Sequence, residues 1–175
     1  MPRKTGGIII IGVAGSGKTS VGTLLAKELG WTFHDADLFH PPANREKMTR
    51  GLPLTDEDRK PWLETLATLV ARHVEREEPM VLACSALKRA YRRILAKDSV
   101  ILFVYLKSSP ETASSRLHKR TGHFFHADLL ESQFRTLEEP TEEEGGCITV
   151  ESAAPKEAIL RTIIEELSCR NHLSD

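Results

Sequence analysis

Residues 8–19 read IIIIGVAGSGKT, and the fold follows from how that stretch is read. Ile8, Ile9, Ile10 and Ile11 are β-branched and offer no polar face, the form of a short strand buried on both sides in a parallel sheet. Gly12, Val13, Ala14, Gly15, Ser16, Gly17, Lys18 and Thr19 then satisfy the pattern G-x-x-x-x-G-K-[ST]. Glycines in such a loop admit positive φ and leave room beside the backbone, so successive N–H groups can point inward as an anion nest at a helix N-terminus. A nucleoside triphosphate suits that nest. Lys18 would neutralise charge on its β- and γ-phosphates, and the Thr19 hydroxyl can ligate Mg²⁺.

Downstream of the loop, Val21, Leu24, Leu25 and Leu29 recur at helical spacing and lie along one face, and Gly30 ends that helix. Apolar runs predict further strands at 32–35, 80–84, 100–106 and 147–150, with the first strand spanning 8–13. Trp62, Leu66, Leu69, Val70 and His73 form a second amphipathic face, and Ile159, Leu160, Ile163, Ile164 and Leu167 a third. Thr55 and Asp58 have the spacing of a capping box, yet Pro61 belongs in a first turn, so the helix there starts between Thr55 and Arg59. Strands alternating with helices predict an α/β fold: a five-stranded parallel sheet with helices on both faces. The acidic cluster at 138–144, followed by Gly145 and Gly146, reads as a solvated loop.

With 175 residues, 40% of them apolar and 28% charged, the chain has the size and composition of one domain, 1–175. Lys and Arg number 24 against 25 Asp and Glu, so no overall field draws in nucleic acid or an anionic membrane, and neither is expected as a partner. Cys84, Cys147 and Cys169 are odd in number and widely spaced, which fits neither a disulfide framework nor a zinc site and points to a reducing, cytoplasmic setting. The start of the chain superficially resembles a signal peptide, but its short apolar run leads straight into the glycine loop. The longest apolar run, 100–106, is far below the roughly 20 residues of a membrane helix, and 172–175 matches neither a retention nor a peroxisomal signal.

A guanine-nucleotide switch would usually carry N-K-x-D, which is absent, and the strand at 80–84 lacks the terminal acid of the large ATPases. Acids for a metal are instead found at Asp35 and Asp37, at the carboxyl edge of the second strand, where open α/β sheets bind their ligands. Alternate residues of an extended D-x-D face one cavity only if the backbone turns there; otherwise both are exposed capping acids.

HPPANREKMTRGLPLTDEDRKPWL at 40–63, CSALK at 84–88 and GHFF at 122–125 resemble the small gluconate kinases, in the shikimate-kinase-like branch of the phosphate-loop kinases. The similarity runs from Ile8 to the last helix. It implies ATP- and Mg²⁺-dependent phosphorylation of D-gluconate at the 6-hydroxyl, commonly by a homodimer, with a substrate-binding segment at about 38–76 and a mobile lid at about 116–136. By the same resemblance Asp37 faces the hydroxyl, Asp35 joins Thr19 in the Mg²⁺ shell, and Arg59 holds the substrate carboxylate as a bidentate donor. Lys88, Arg92, His123 and Gln133 are further substrate-binding candidates, although Arg92 also reads as part of a solvated basic helix face with Lys88, Arg89 and Arg93. Arg116 and Arg120, four apart on a predicted helix, would close with the lid over ATP and exclude water. His123 and His126 lack a third partner for a metal, and 152–155 is where the adenine would be met. Two other readings stay open: another small-metabolite kinase of this fold, acting on shikimate or a nucleoside monophosphate, and a non-catalytic ATP-sensing module.

Overall fold

Side-chain alternation along the first strand, β1 (Thr5–Ile11), divides the core into two layers. Ile9 and Ile11 pack with Leu82, Phe103 and Tyr105 on one face, while Ile8 and Ile10 pack with Val81, Val104 and Leu106 on the other. A strand apolar on both sides must be covered on both sides, which places β1 in the middle of the sheet. The structure is a computed structural model that describes residues 5–97, 99–120 and 127–172. Its other strands are β2 (Thr32–Asp35), β3 (Met80–Ala83), β4 (Val100–Lys107) and β5 (Ile148–Glu151). They lie in the order β2-β3-β1-β4-β5, and each pairing is parallel.

Helix α1 (Lys18–Leu29) and helix α7 (Lys156–His172) cover the layer of Ile8 and Ile10 through Val21, Leu25, Ile159 and Ile163. On the opposite layer, α3 (Asp56–Arg76) and α4 (Arg89–Leu95) contribute Trp62, Leu66, Val70, Tyr91 and Leu95. Three further helices, α2 (Pro42–Thr49), α5 (Pro110–His118) and α6 (Ala127–Thr136), stand near the carboxyl edge of the sheet. All five expected strands are present: β2 has the expected bounds, and the ends of the other four differ by at most three residues. β1 stops at Ile11 because Gly12, at φ +152°, leaves the sheet and donates its N–H to the Ser85 carbonyl.

Thr55 Oγ1 accepts from the Asp58 amide at 3.1 Å and Asp58 Oδ2 from the Thr55 amide at 2.9 Å, and this capping box starts α3 at Asp56. Pro61 therefore lies inside the helix, past its first turn, where it has no N–H to offer the Glu57 carbonyl. The acidic segment 138–144 is mostly exposed, as expected of a solvated loop, and Glu144 is the exception. Arg92 Nε donates to Glu144 Oε1 at 2.7 Å, Arg92 Nη2 donates to the Glu138 carbonyl at 2.9 Å, and both side chains of that pair are largely buried. At the sheet edge, His34 of β2 meets His73 of α3 with Nε2 atoms 2.9 Å apart. No helix among the described residues is long and apolar enough to cross a membrane.

Candidate active site

The loop after β1 takes the shape its glycines allow. Gly15 and Gly17 have φ of +78° and +94°, and a Cβ at Gly15 would lie 2.4 Å from the Ala113 carbonyl oxygen. Gly17 is the N-cap of α1, so the loop delivers its amides to a helix N-terminus. Lys18 folds back over the loop and donates to the Val13 carbonyl at 2.9 Å. Val13 and Ser16 are buried beneath the loop, while Ala14, Gly15, Gly17, Lys18 and Thr19 line a cavity of about 560 Å³.

The backbone does turn after β2. A 3-10 turn, Ala36–Phe39, follows Asp35, whose Oδ1 accepts from the Asp37 amide at 3.0 Å. Asp35 Oδ2 accepts from Thr19 Oγ1 at 3.2 Å, and both aspartates line the cavity. Thr19 and Asp35 thus present two hard oxygen donors side by side, a set that suits Mg²⁺. Asp37 is open to the cavity but deep between its walls; loss of bulk water raises its carboxyl pKa above the ordinary value, with Lys18 opposing. Burial likewise lowers the Lys18 ammonium pKa, and the Asp37 charge works against that. Arg120 and Arg59 complete the charged lining, and Trp62 forms part of the wall.

The family model described as Shikimate kinase matches residues 14–168. The chain is 48% identical to the gluconokinase of Gluconobacter oxydans over 138 residues, 78% of each chain, and 40% identical to the thermoresistant gluconokinase of Escherichia coli over 158 residues, 90% of each. A crystal structure of a gluconokinase from Sinorhizobium meliloti superposes with a TM-score of 0.85 at 39% identity, covering 99% of both chains. The chain belongs to the shikimate kinase family, among its gluconokinases. A gluconokinase of this kind is a phosphate-loop kinase and uses ATP, and its five-stranded parallel sheet is the fold expected from the sequence.

Among the gluconokinase site residues expected from sequence, Lys18, Thr19, Asp35, Asp37, Arg59, Arg120 and Gln133 converge on this cavity. Gln133 meets the nucleotide loop itself: its Oε1 accepts from the Ala14 amide at 2.7 Å, fastening α6 to the nest. Arg92 requires correction. It is 2% exposed, and its guanidinium is spent on the carbonyls of Ala86, Leu87 and Glu138 and on Glu144, so it neither faces the cavity nor forms a solvated basic face. Lys88 is bound to Asp56 at 3.0 Å and lies over the Tyr91 ring, away from the cavity lining.

Arg116 and Arg120 do not share a helical face, because α5 ends at His118 and Arg120 lies beyond it. Arg116 donates to the Ser16 carbonyl at 3.0 Å and to the Ser152 carbonyl, bracing the loop against the end of β5, while Arg120 turns into the cavity. His123, with Thr121, Phe124, Phe125 and His126, lies outside the described residues. Sequence reasoning quoted His40 within a motif and gave it no role. Yet His40 lines the cavity, stacked on Trp62, and so do Ser85 and Ser132. The signal for His40 was present: two prolines, the second at a helix N1 position, mark the start of α2 immediately after it.

Proposed function

We propose that the chain transfers the γ-phosphoryl group of ATP to the 6-hydroxyl of D-gluconate, giving 6-phospho-D-gluconate and ADP. The observation that carries this reading is the meeting, in one cavity, of a phosphate loop with Lys18, an acid at Asp37, and two further cations, Arg120 and Arg59. Relatives named gluconokinase that align with most of the chain support the acceptor.

Phosphoryl transfer asks the protein mainly for alignment and charge neutralisation. Loop amides and Lys18 hold the triphosphate, and Arg120 faces the charge on the transferred group. Asp37 accepts the proton of the 6-hydroxyl as its oxygen bonds to the γ-phosphorus and the bond to the β-phosphate oxygen breaks. Arg59, in the first turns of α3, takes the carboxylate at the other end of the acid. Thr19 and Asp35 are the residues that would hold Mg²⁺, which when bound neutralises phosphate charge.

A coupled assay of ADP release across D-gluconate, shikimate and nucleoside monophosphates tests the reading. Turnover is expected with gluconate above the other acceptors, and Lys18→Ala is expected to keep the far-ultraviolet spectrum of the wild type while losing activity by orders of magnitude. Absence of gluconate turnover in the wild type would overturn it. The reading includes a single domain, 1–175, with a substrate segment at 38–76 and a lid at 116–136. It also includes a cytoplasmic homodimer, for which light scattering is expected to return twice the chain mass.

A further inference from the structure

His40 is 8% exposed, and two neighbours remove its freedom. Its ring stacks on Trp62 with centroids 4.2 Å apart and planes inclined by 14°, and Trp62 is anchored by donating Nε1–H to the Ala36 carbonyl at 2.8 Å. Its Nδ1 lies 3.2 Å from Asn44 Nδ2. The same Asn44 nitrogen donates to the Asp58 carbonyl at 2.9 Å. A carbonyl only accepts, so the atom facing it must be the amide NH₂, and the orientation of Asn44 is thereby decided. An NH₂ group only donates, so His40 Nδ1 must accept, and in the neutral ring the proton sits on Nε2. Burial, then the nearby Arg59 and Arg45 charges, push the His40 pKa down to about 4, so the ring is neutral near pH 7.

Nε2–H is therefore a fixed donor with no protein partner among the described residues, on a side chain that lines the cavity. His40 lies three residues beyond Asp37 and close enough to Arg59 for their charges to interact, and both side chains line the cavity. We propose that His40 binds substrate, its Nε2–H donating to an oxygen at the acid end of the sugar acid beside Arg59, with Asn44 and Trp62 as the residues that position it. This assignment rests on the gluconate reading given above. It makes recognition of the acid a joint task of a charged fork and a neutral, tautomer-locked donor. A neutral donor beside a cation adds a hydrogen bond to the carboxylate group without adding charge to be desolvated.

The test is steady-state kinetics of the wild type, His40→Phe and His40→Gln, joined to ¹⁵N imidazole spectra of the wild type. His40→Phe keeps a ring over Trp62 and deletes the donor. Its KM for gluconate is expected to rise roughly tenfold to hundredfold, the worth of one hydrogen bond to a charged group, with KM for ATP within about twofold of wild type. His40→Gln, which can return an N–H near the same place, is expected to recover most of that loss. The spectra are expected to show the Nε2–H tautomer near neutral pH and to shift when gluconate, but not ATP, is added. A wild type active on gluconate whose His40→Phe variant keeps its KM overturns the role of His40 and leaves the activity standing. An unshifted resonance under saturating gluconate does the same. A wild type inert towards gluconate overturns the activity and this assignment with it.

Discussion

Asp37 owes its position to a carboxylate two residues earlier. Asp35 accepts the Asp37 amide, and this bond starts the 3-10 turn that brings both acids to the same side of the chain. In a straight strand, residues two apart would already share a face, but that face would be turned toward the core layer rather than the open edge. Asp37→Asn keeps the size and hydrogen-bonding reach of the side chain while removing the basic oxygen. It is expected to lower kcat by about 10²–10⁴-fold, the usual worth of a positioned general base, with KM for ATP little changed. Steady-state kinetics in both substrates checks this, and a kcat within fivefold of wild type would remove Asp37 from the proton-transfer role.

Among the elements, the turn between β3 and α4 illustrates what local pattern leaves out. Ala86 adopts φ of +38°, rare for a residue with a Cβ, and Arg92 Nη1 bonds both its carbonyl and that of Leu87, at 2.9 and 3.2 Å. Arg92 thus holds in place the turn whose Ser85 lines the cavity and accepts from Gly12. Burial opposes ionisation of Glu144, and the hydrogen bonds from Arg92 and the Thr141 amide outweigh it, holding its carboxyl below the usual range. Removing the cation leaves that carboxylate largely buried without its guanidinium partner. Arg92→Ala is expected to cost about 3–5 kcal/mol of unfolding free energy in urea titration, and a loss under about 1 kcal/mol would contradict the role given to this pair.

The same turn explains why some residues could be placed from sequence and others could not. The phosphate loop and the isoleucine run carry their information within a dozen neighbours, as spacing and β-branching, and both were placed correctly. Arg92 sits among three other basic residues in a short stretch, which reads as a wet surface, while its partners lie about fifty residues away across the fold. The helix start at Asp56 falls within the 55–59 window read from sequence; only the first-turn place expected of Pro61 gives way, because the capping box at Thr55 and Asp58, together with burial of Trp62 and Leu66, outweighs one missing hydrogen bond. His40 was overlooked because its significance depends on Asn44, Asp58 and Trp62 together, and only the folded chain assembles that set.

Across the whole molecule, two histidines are kept neutral at structural cost. Burial first, and His73 second, lower the His34 pKa; that of His40 is pushed down to about 4. The Glu78 carbonyl lies 2.7 Å from His73 Nδ1 and can only accept, so His73 Nδ1 donates there and its other ring nitrogen faces His34 Nε2 at 2.9 Å. A group whose folded pKa is depressed binds its proton first in the unfolded chain. Stability is therefore complete above pH 6.5 and declines as the pH falls through that value, the decline ending below the folded pKa. Melting temperatures between about pH 7 and pH 5 are expected to fall more steeply in the wild type than in His34→Gln, a difference that cancels the carboxylates common to both. Parallel slopes would show that the His34–His73 contact carries no such penalty.

The placement of β1 at the centre of the sheet governs what happens as the chain leaves the ribosome. Its neighbours are β3 and β4, so the four isoleucines emerge early and wait for Met80 and Val100, while α1, β2, α2 and α3 are made in between. At about 5–20 residues per second this interval lasts several seconds. During it an apolar, β-branched segment of the nascent polypeptide has no strand to pair with, which makes β1 a stretch that a holding chaperone would shield.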